Sequence, residues 1–278
     1  MKIEDIKVEG NDARFVISGA SVTFMNALRR TLMAEIPKMA IETVEFHMGS
    51  ISDENGKSFE STGPLFDEIL AHRLGLVPIP TDLSLYKFRK DCACGGEGCP
   101  TCTIMFSLNK KGPCVVYSGD LEPLGDSMLA PVDKLIPLTK LTEDEAILIY
   151  ATAQLGRGRD HAKWQVTHGA GYRLYPTLKI SKAKCEGAKD CVNACPRKVL
   201  AVKEGKAQVV NLEACNLCMA CVEACEKKAI TVEGDETKFI FQFETDGGMS
   251  ARETMRRALM VLEDKFNGLR DAVSKLQE

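Results

Sequence analysis

The chain has 278 residues, 45 % hydrophobic and 27 % charged, with twelve cysteines and a formal net charge of −3. That length suits about two domains, and the slight negative charge argues against a stand-alone nucleic-acid binder, which is normally basic. No apolar run approaches the ~20 residues of a membrane span. The charged start, Met1-Lys-Ile-Glu-Asp-Ile-Lys7, has no secretory signal character. Cysteine-rich chains without such a signal belong in a reducing, cytoplasmic compartment, where clustered thiols more often hold metal than form disulfides.

Residues 13 to 18 (Ala-Arg-Phe-Val-Ile-Ser) read as a strand. Gly19-Ala-Ser21 then introduces a helix with Ser21 as its N-cap, and Pro37 stops it. Met25, Leu28 and Leu32 share the apolar face, with Asn26, Arg29 and Arg30 on the polar side. Alternating Ile41, Val44 and Phe46 suggest a strand. Leu65 to Leu74 reads as a short helix with Asp67 and Glu68 near its positive end and Gly75 closing it.

Cys92-Ala-Cys94-Gly-Gly-Glu-Gly-Cys99-Pro-Thr-Cys102 places four thiols within eleven residues. The glycines let the loop fold back, and a short-spaced pair at each end can close a tetrahedron around zinc. A metal-free knuckle of reduced cysteines is the plainer alternative. Cys114 stands apart and reads as a buried core thiol. Strands are expected over residues 103–108, 146–150 and 163–166. Gly156-Arg-Gly-Arg-Asp-His161 lacks the third glycine of a dinucleotide fingerprint and the Gly-Lys-Ser/Thr ending of a P-loop, so it reads as a surface turn. His47, His72, His161 and His168 are scattered, and no nucleophile elbow or His-Glu-x-x-His helix occurs. The sequence supplies no self-contained active site.

The strongest signal is a cysteine repeat. Cys191-Val-Asn-Ala-Cys195 returns 30 residues later as Cys221-Val-Glu-Ala-Cys225, and the same offset pairs Cys185 with Cys215 but Ala188 with Cys218. The second copy has the Cys-x2-Cys-x2-Cys-x3-Cys spacing of a bacterial ferredoxin cluster. The repeat resembles a two-cluster ferredoxin over roughly residues 181 to 232. In such proteins the fourth cysteine of each run serves the other cluster. The resemblance therefore implies a 4Fe–4S site from Cys195, Cys215, Cys218 and Cys221. It leaves Cys185, Cys191 and Cys225 at a second, incomplete site. Three thiolates suit a 3Fe–4S cluster, a four-iron cluster with an outside ligand, or a site that stays empty.

At the C-terminal end, Ser250-Ala-Arg-Glu253 is a capping box. Behind it Met255, Leu259, Leu262, Phe266, Leu269, Val273 and Leu276 are spaced alternately by four and three. That is an a/d seam, the pattern of a helix laid lengthwise on another. Some 26 residues would span about 39 Å. An amphipathic helix on the chain's own core is the alternative; the strict seam favours a partner chain.

Outside the cysteine repeat, three segments carry a family resemblance. They are Asn26-Ala-Leu-Arg-Arg-Thr-Leu-Met-Ala-Glu-Ile-Pro37, Asp67-Glu-Ile-Leu-Ala-His-Arg-Leu-Gly-Leu-Val-Pro-Ile79 and Gly158-Arg-Asp-His-Ala-Lys-Trp164. With these the chain resembles the D-type subunits of archaeal DNA-directed RNA polymerases, a family similar to the third subunit of eukaryotic polymerase II and the bacterial alpha N-terminal domain. The resemblance implies an α+β fold with a discontinuous two-domain scaffold. Residues 1–45 plus 234–278 would form a dimerisation domain, and 46–180 a second α+β domain carrying the cysteine loop. Residues 181–233 would be an inserted ferredoxin-like domain, and Phe239, Phe241 and Phe243 would wall the core beyond it. The expected role is that of a non-catalytic subunit, without direct nucleic-acid contact. It would pair with the small L-type subunit through the terminal helix and the helix near residues 21–36. That pair is the platform for the two large catalytic subunits, for which Asn26, Arg29 and Arg30 are candidate contacts. The loop of Cys92, Cys94, Cys99 and Cys102 matches a zinc loop of the eukaryotic relative. Ala188 departs from the two-cluster members. The competing function is a ferredoxin-type electron carrier, which needs neither the apolar seam nor the Asn-Ala-Leu-Arg-Arg helix.

Overall fold

The computed structural model describes residues 1–52, 56–61, 63–187 and 189–276. Strands β1 (Lys2–Glu9) and β2 (Asp12–Ser18) lead into α1 (Val22–Ala34), where the Ser21 hydroxyl accepts from the Phe24 N–H at 3.2 Å, as an N-cap should. Then come β3 (Pro37–Phe46), β4 (Ser50–Ser52), β5 (Ser58–Glu60) and α2 (Asp67–Gly75). Strands β6 (Thr103–Lys111), β7 (Cys114–Tyr117), β8 (Glu122–Pro123), β9 (Pro137–Leu141), β10 (Ala146–Arg157) and β11 (Thr167–Ile180) follow. The cysteine repeat forms α3 (Asp190–Asn193), β12 (Leu200–Lys203), β13 (Lys206–Val209) and α4 (Ala220–Glu223). The chain ends with β14 (Ile230–Thr245) and α5 (Ala251–Ser274). No helix is long and apolar enough to cross a membrane among the described residues.

One compact unit comprises residues 1–7, 14–27 and 171–242. Its sheet has the order β1-β2-β14-β11. Phe15 stacks on Phe241 with ring centres 5.3 Å apart, and Tyr172 meets Phe239 edge-on at 5.9 Å, so aromatic faces hold β2, β14 and β11 together. Phe239, Phe241 and Phe243 are all buried, as their alternation requires. In the cysteine repeat the 30-residue period is visible in the backbone. The one-turn helices α3 and α4 occupy equivalent places, and Lys198 and Lys228 both take positive φ, 51° and 48°. Glu204 and Gly205, at φ 52° and 70°, form the two-residue turn between β12 and β13. This is the left-handed geometry that matches strand twist in a tight hairpin. Val199, Leu200, Ala207, Ile230 and Val232 fill the core beneath the cysteines.

The second unit comprises residues 8–13, 28–170 and 243–278. A four-stranded antiparallel sheet runs β3-β10-β6-β8, with Ile149 of β10 opposite both Phe46 and Leu108. Leu70 and Leu74 of α2 join Ile41, Phe106 and Ile149 in its core. Lys38 on β3 is buried against Asp246, and its ammonium also reaches the carbonyls of Lys163 at 3.3 Å and Gln165 at 3.5 Å. Three sequence expectations are corrected here. Residues 163–166 are not a strand but follow a 3-10 turn, Ala162–Trp164. His161 caps that turn by accepting from the Lys163 N–H at 3.1 Å, and the buried Trp164 indole donates to the Gln154 carbonyl at 3.1 Å. A side chain at Gly156 would collide with the Trp164 ring at 2.2 Å, so the strand must be glycine where the indole lies down. Helix α2 begins at Asp67 rather than Leu65 and includes Gly75. Cys114 is half-buried rather than fully buried.

At the start of α5 the Ser250 hydroxyl accepts from the Glu253 N–H at 3.3 Å. The Glu253 carboxylate pairs with Arg256 at 2.8 Å and Arg257 at 2.6 Å. The Arg256 hydrogen bond, followed by that from Arg257, holds this carboxyl well below the usual range, at about 2. Because the folded value is depressed, the stabilisation is complete above the unfolded value and is lost as pH falls from there toward 2. Glu253→Gln is therefore expected to lower stability at pH 7 and to narrow its gap to the native chain below pH 4, read by denaturant titration at both pH values.

Candidate metal centres and an exposed helical seam

The cysteine knuckle lies between Arg89–Asp91, a 3-10 turn, and β6. Gly95, Gly96 and Gly98 all take positive φ (67°, 91° and 104°), which lets the loop reverse between its cysteine pairs. Arg89 braces the reversal by donating to the carbonyls of Gly96 at 2.7 Å and Glu97 at 2.9 Å. Cys92 and Cys99 stand 3.5 Å apart, Cys94 and Cys102 3.7 Å, and Cys99 and Cys102 3.8 Å. The four sulfurs form one group that could hold a metal ion. The Cys94 N–H and the Thr101 hydroxyl bring the Cys92 thiol down to about 6. The N–H groups of Gly98 and Gly96 lower Cys94, while burial pushes Cys102 up to about 12. A bound cation would reverse that last penalty, since a metal takes thiolates and releases their protons.

All twelve cysteines are free thiols. Among the described residues only the knuckle brings such ligand atoms within 4.8 Å of one another. The charges felt by the two most central thiols sort the seven of the repeat into two sets. Cys221 is raised first by burial and then by Cys195, Cys215 and Cys218. Cys191 is raised first by burial and then by Cys225 and Cys185. Each set thus mixes the two copies of the repeat. Cys185, Cys191 and Cys225 line one cavity of about 110 Å³. Backbone N–H groups point at sulfurs throughout: Val199 to Cys195 at 3.4 Å, Ala229 to Cys225 at 3.3 Å and Ala207 to Cys185 at 3.4 Å. Such bonds stabilise thiolates and tune a cluster's potential. The donor set therefore fits iron–sulfur ligation. Ala188 lies outside the described residues.

Sequence reasoning missed the supports of this loop. Arg173 on β11 donates to the carbonyls of Glu213 at 2.7 Å and Cys215 at 3.4 Å, and Arg14 on β2 pairs with the Glu213 carboxylate at 2.6 Å. Nothing local marks these contacts, because Glu213 lies 40 residues from Arg173 and 199 from Arg14.

On α1, Met25, Leu28 and Leu32 are buried, Asn26 and Arg29 are half-buried, and Arg30 is exposed. Arg29 lies within 3.4 Å of the Met33 sulfur. Along α5 the chain's own core takes Ala251, Thr254, Ala258 and Leu262. Met255 is half-buried, whereas Leu259, Phe266, Leu269, Val273 and Leu276 are exposed. One seam residue, Leu262, thus packs within the chain while five large apolar side chains face outward. Large apolar side chains exposed in such a row are uncommon on a surface that meets only water.

A family model described as the RNA polymerase Rpb3/Rpb11 dimerisation domain matches residues 14–266. The chain is 43 % identical over 273 residues to DNA-directed RNA polymerase subunit Rpo3 of Picrophilus torridus, covering 98 % of this chain and 100 % of the relative. The subunit of the same name from Methanothermobacter thermautotrophicus is 43 % identical over 254 residues, 90 % of each chain. That of Archaeoglobus fulgidus is 36 % identical over 276 residues, 99 % of each.

Proposed function

The chain belongs to the RNA polymerase Rpb3/Rpb11 dimerisation domain family, and we propose on that footing that it is a non-catalytic assembly subunit of an archaeal DNA-directed RNA polymerase. It forms a heterodimer with another subunit of that enzyme, and nucleotidyl transfer belongs to the complex. The observation that carries this reading is the extent of the family match, residues 14–266, which takes in α1 and most of α5. The partner is the small L-type subunit, laid along Met255, Leu259, Leu262, Phe266, Leu269, Val273 and Leu276. Asn26, Arg29 and Arg30 meet the large catalytic subunits. Residues 1–45 plus 234–278 serve dimerisation, 46–180 form the second domain, and 181–233 are the iron–sulfur insert. The complex works in the cytoplasm.

For the knuckle the cation is zinc. A Zn–S bond of about 2.3 Å gives a tetrahedron whose sulfurs are about 3.8 Å apart, and the shortest knuckle pairs span 3.5 to 3.8 Å. Cys195, Cys215, Cys218 and Cys221 hold a 4Fe–4S cluster, and Cys185, Cys191 and Cys225 a second cluster. When bound, such clusters supply one-electron chemistry; here they hold the insert together and respond to oxidation.

The reading is tested by anaerobic affinity purification of the chain from its native cells. Two large subunits and a small partner are expected with it, together with template-dependent nucleotide incorporation. A lone chain that a ferredoxin reductase reduces, with no RNA synthesis, would overturn the reading in favour of the electron carrier. Cys218 is exposed, so Cys218→Ser removes no side chain from the core. The variant is expected to lose the 4Fe–4S absorbance and EPR signals and about four irons per chain. An unchanged iron content would remove Cys218 from the ligand set.

A further inference from the structure

We propose that the carboxylate of Asp190 is the fourth ligand of the second cluster site, closing with oxygen the corner that Cys185, Cys191 and Cys225 leave open. The inference rests on the iron–sulfur reading above and adds to it a ligand that the cysteine spacing does not supply. The three thiols share the wall of a single cavity, and its rim is charged: Lys184, Glu186, Asp190, Glu226 and Lys227. An apolar rim would leave the open corner to solvent or to a molecule from outside. Three carboxylate residues, Glu186, Asp190 and Glu226, are among those lining this cavity.

Their positions separate them. Glu186 is drawn to Lys227, with oxygen and nitrogen 3.2 Å apart across the cavity mouth. Glu226 follows Cys225, outside the stretch between Cys185 and Cys191. Asp190 lies between Cys185 and Cys191, the stretch from which the repeat frame draws its missing ligand. It opens α3 one residue before Cys191, is among the residues lining the cavity, and forms no ion pair among the described residues. The backbone here is tightly set. Gly187 takes φ 79°, and a side chain on it would meet the Gly205 carbonyl at 2.1 Å, so the hairpin of β12 and β13 holds the loop against the cavity. Iron accepts carboxylate oxygen as well as thiolate sulfur, but the harder ligand binds cluster iron less firmly. The iron at this corner is accordingly the most readily exchanged of the eight.

The test counts iron and sulfide in the full-length chain purified anaerobically, and records EPR spectra of the oxidised protein. About eight irons per chain are expected in the native protein, as two four-iron clusters require. Asp190→Asn is nearly isosteric and Asp190→Ala removes the group. Both should hold about seven irons, with the oxidised-state EPR signal of a three-iron cluster. Asp190→Cys should restore the eighth iron with a thiolate, while Glu186→Ala and Glu226→Ala should keep it. Seven irons in the native protein, or eight in Asp190→Ala, would overturn the assignment of Asp190 while leaving two clusters in place. About four irons in the native protein would instead mean that the second site holds no cluster, and the reading beneath the proposal would fail with it.

Discussion

In co-expression with the small L-type subunit proposed as its partner, the Phe266→Asp, Leu269→Asp double variant is expected to stay folded and to lose the heterodimer. Both side chains are exposed in the isolated chain, 62 % and 61 %, so neither change removes anything from its core. The helix keeps its cap and its early anchors, Ala251, Thr254 and Ala258. Burying each large apolar side chain against a partner is worth about 1.5–3 kcal/mol. Losing two contributes about 3–6 kcal/mol, before the cost of forcing two carboxylates into an apolar seam. Affinity should therefore fall by at least a hundredfold, at about 1.4 kcal/mol per factor of ten. Co-purification, read beside the circular dichroism spectrum of the lone variant, checks both halves of the expectation. Leu262 is unsuited to this test: it is 8 % exposed, and a charge there would damage the chain's own packing. Undiminished pairing in the double variant would mean that the outward face of α5 is not the dimer seam.

The second large effect lies in the core. Lys38→Met removes one side of an ion pair whose members are 5 % and 7 % exposed. The lysine ammonium answers the Asp246 carboxylate and two turn carbonyls, and Asp246 also accepts from the Gly248 N–H at 3.0 Å. Taking away the cation strands a buried anion, which costs about 3–5 kcal/mol. For a chain of this size that corresponds to a melting temperature lower by about 6–20 °C. The double variant Lys38→Met, Asp246→Leu should regain much of that loss, because matched apolar groups carry no desolvation penalty. Thermal denaturation of the native chain and the two variants measures it. A single variant as stable as the native chain would show that the pair does not hold β3 to the segment leading into α5.

What could be read in advance was local or periodic. The 30-residue repeat was legible, and its one-turn helices, positive-φ lysines and N–H···S bonds recur with the same period. The α5 seam was visible because spacing alone fixes which residues share a helix face. What spacing could not reveal was that Leu262 turns inward while its seam neighbours face out, since that depends on what the helix packs against. Residues 163–166 alternate well enough for a strand, yet the Trp164 indole bonds back to Gln154 and the backbone closes into a turn. Tertiary contact outweighed local preference there. Lys38 and Asp246 are 208 residues apart, and Arg173 reaches across 40 residues to the Glu213 carbonyl. Chain-distant partners of this kind leave no mark in any short window.

The cysteine-bearing segment leaves the sheet at Ile180 on β11 and returns at Ile230 on β14, and these strands are neighbours in the sheet. At the neck, the Ser181 N–H donates to the Ala229 carbonyl at 2.8 Å. Its two ends are therefore already joined by hydrogen bonding before the segment contributes anything. Loop-closure entropy, the usual obstacle to a long insertion, is met by the strand pair itself. In architectural terms the cysteine-bearing segment is a graft on the tip of a β-hairpin. Excised between Ser181 and Ala229, it would leave two paired strand ends that a short turn can join. The scaffold can carry such a module, or go without it, on the same foundation.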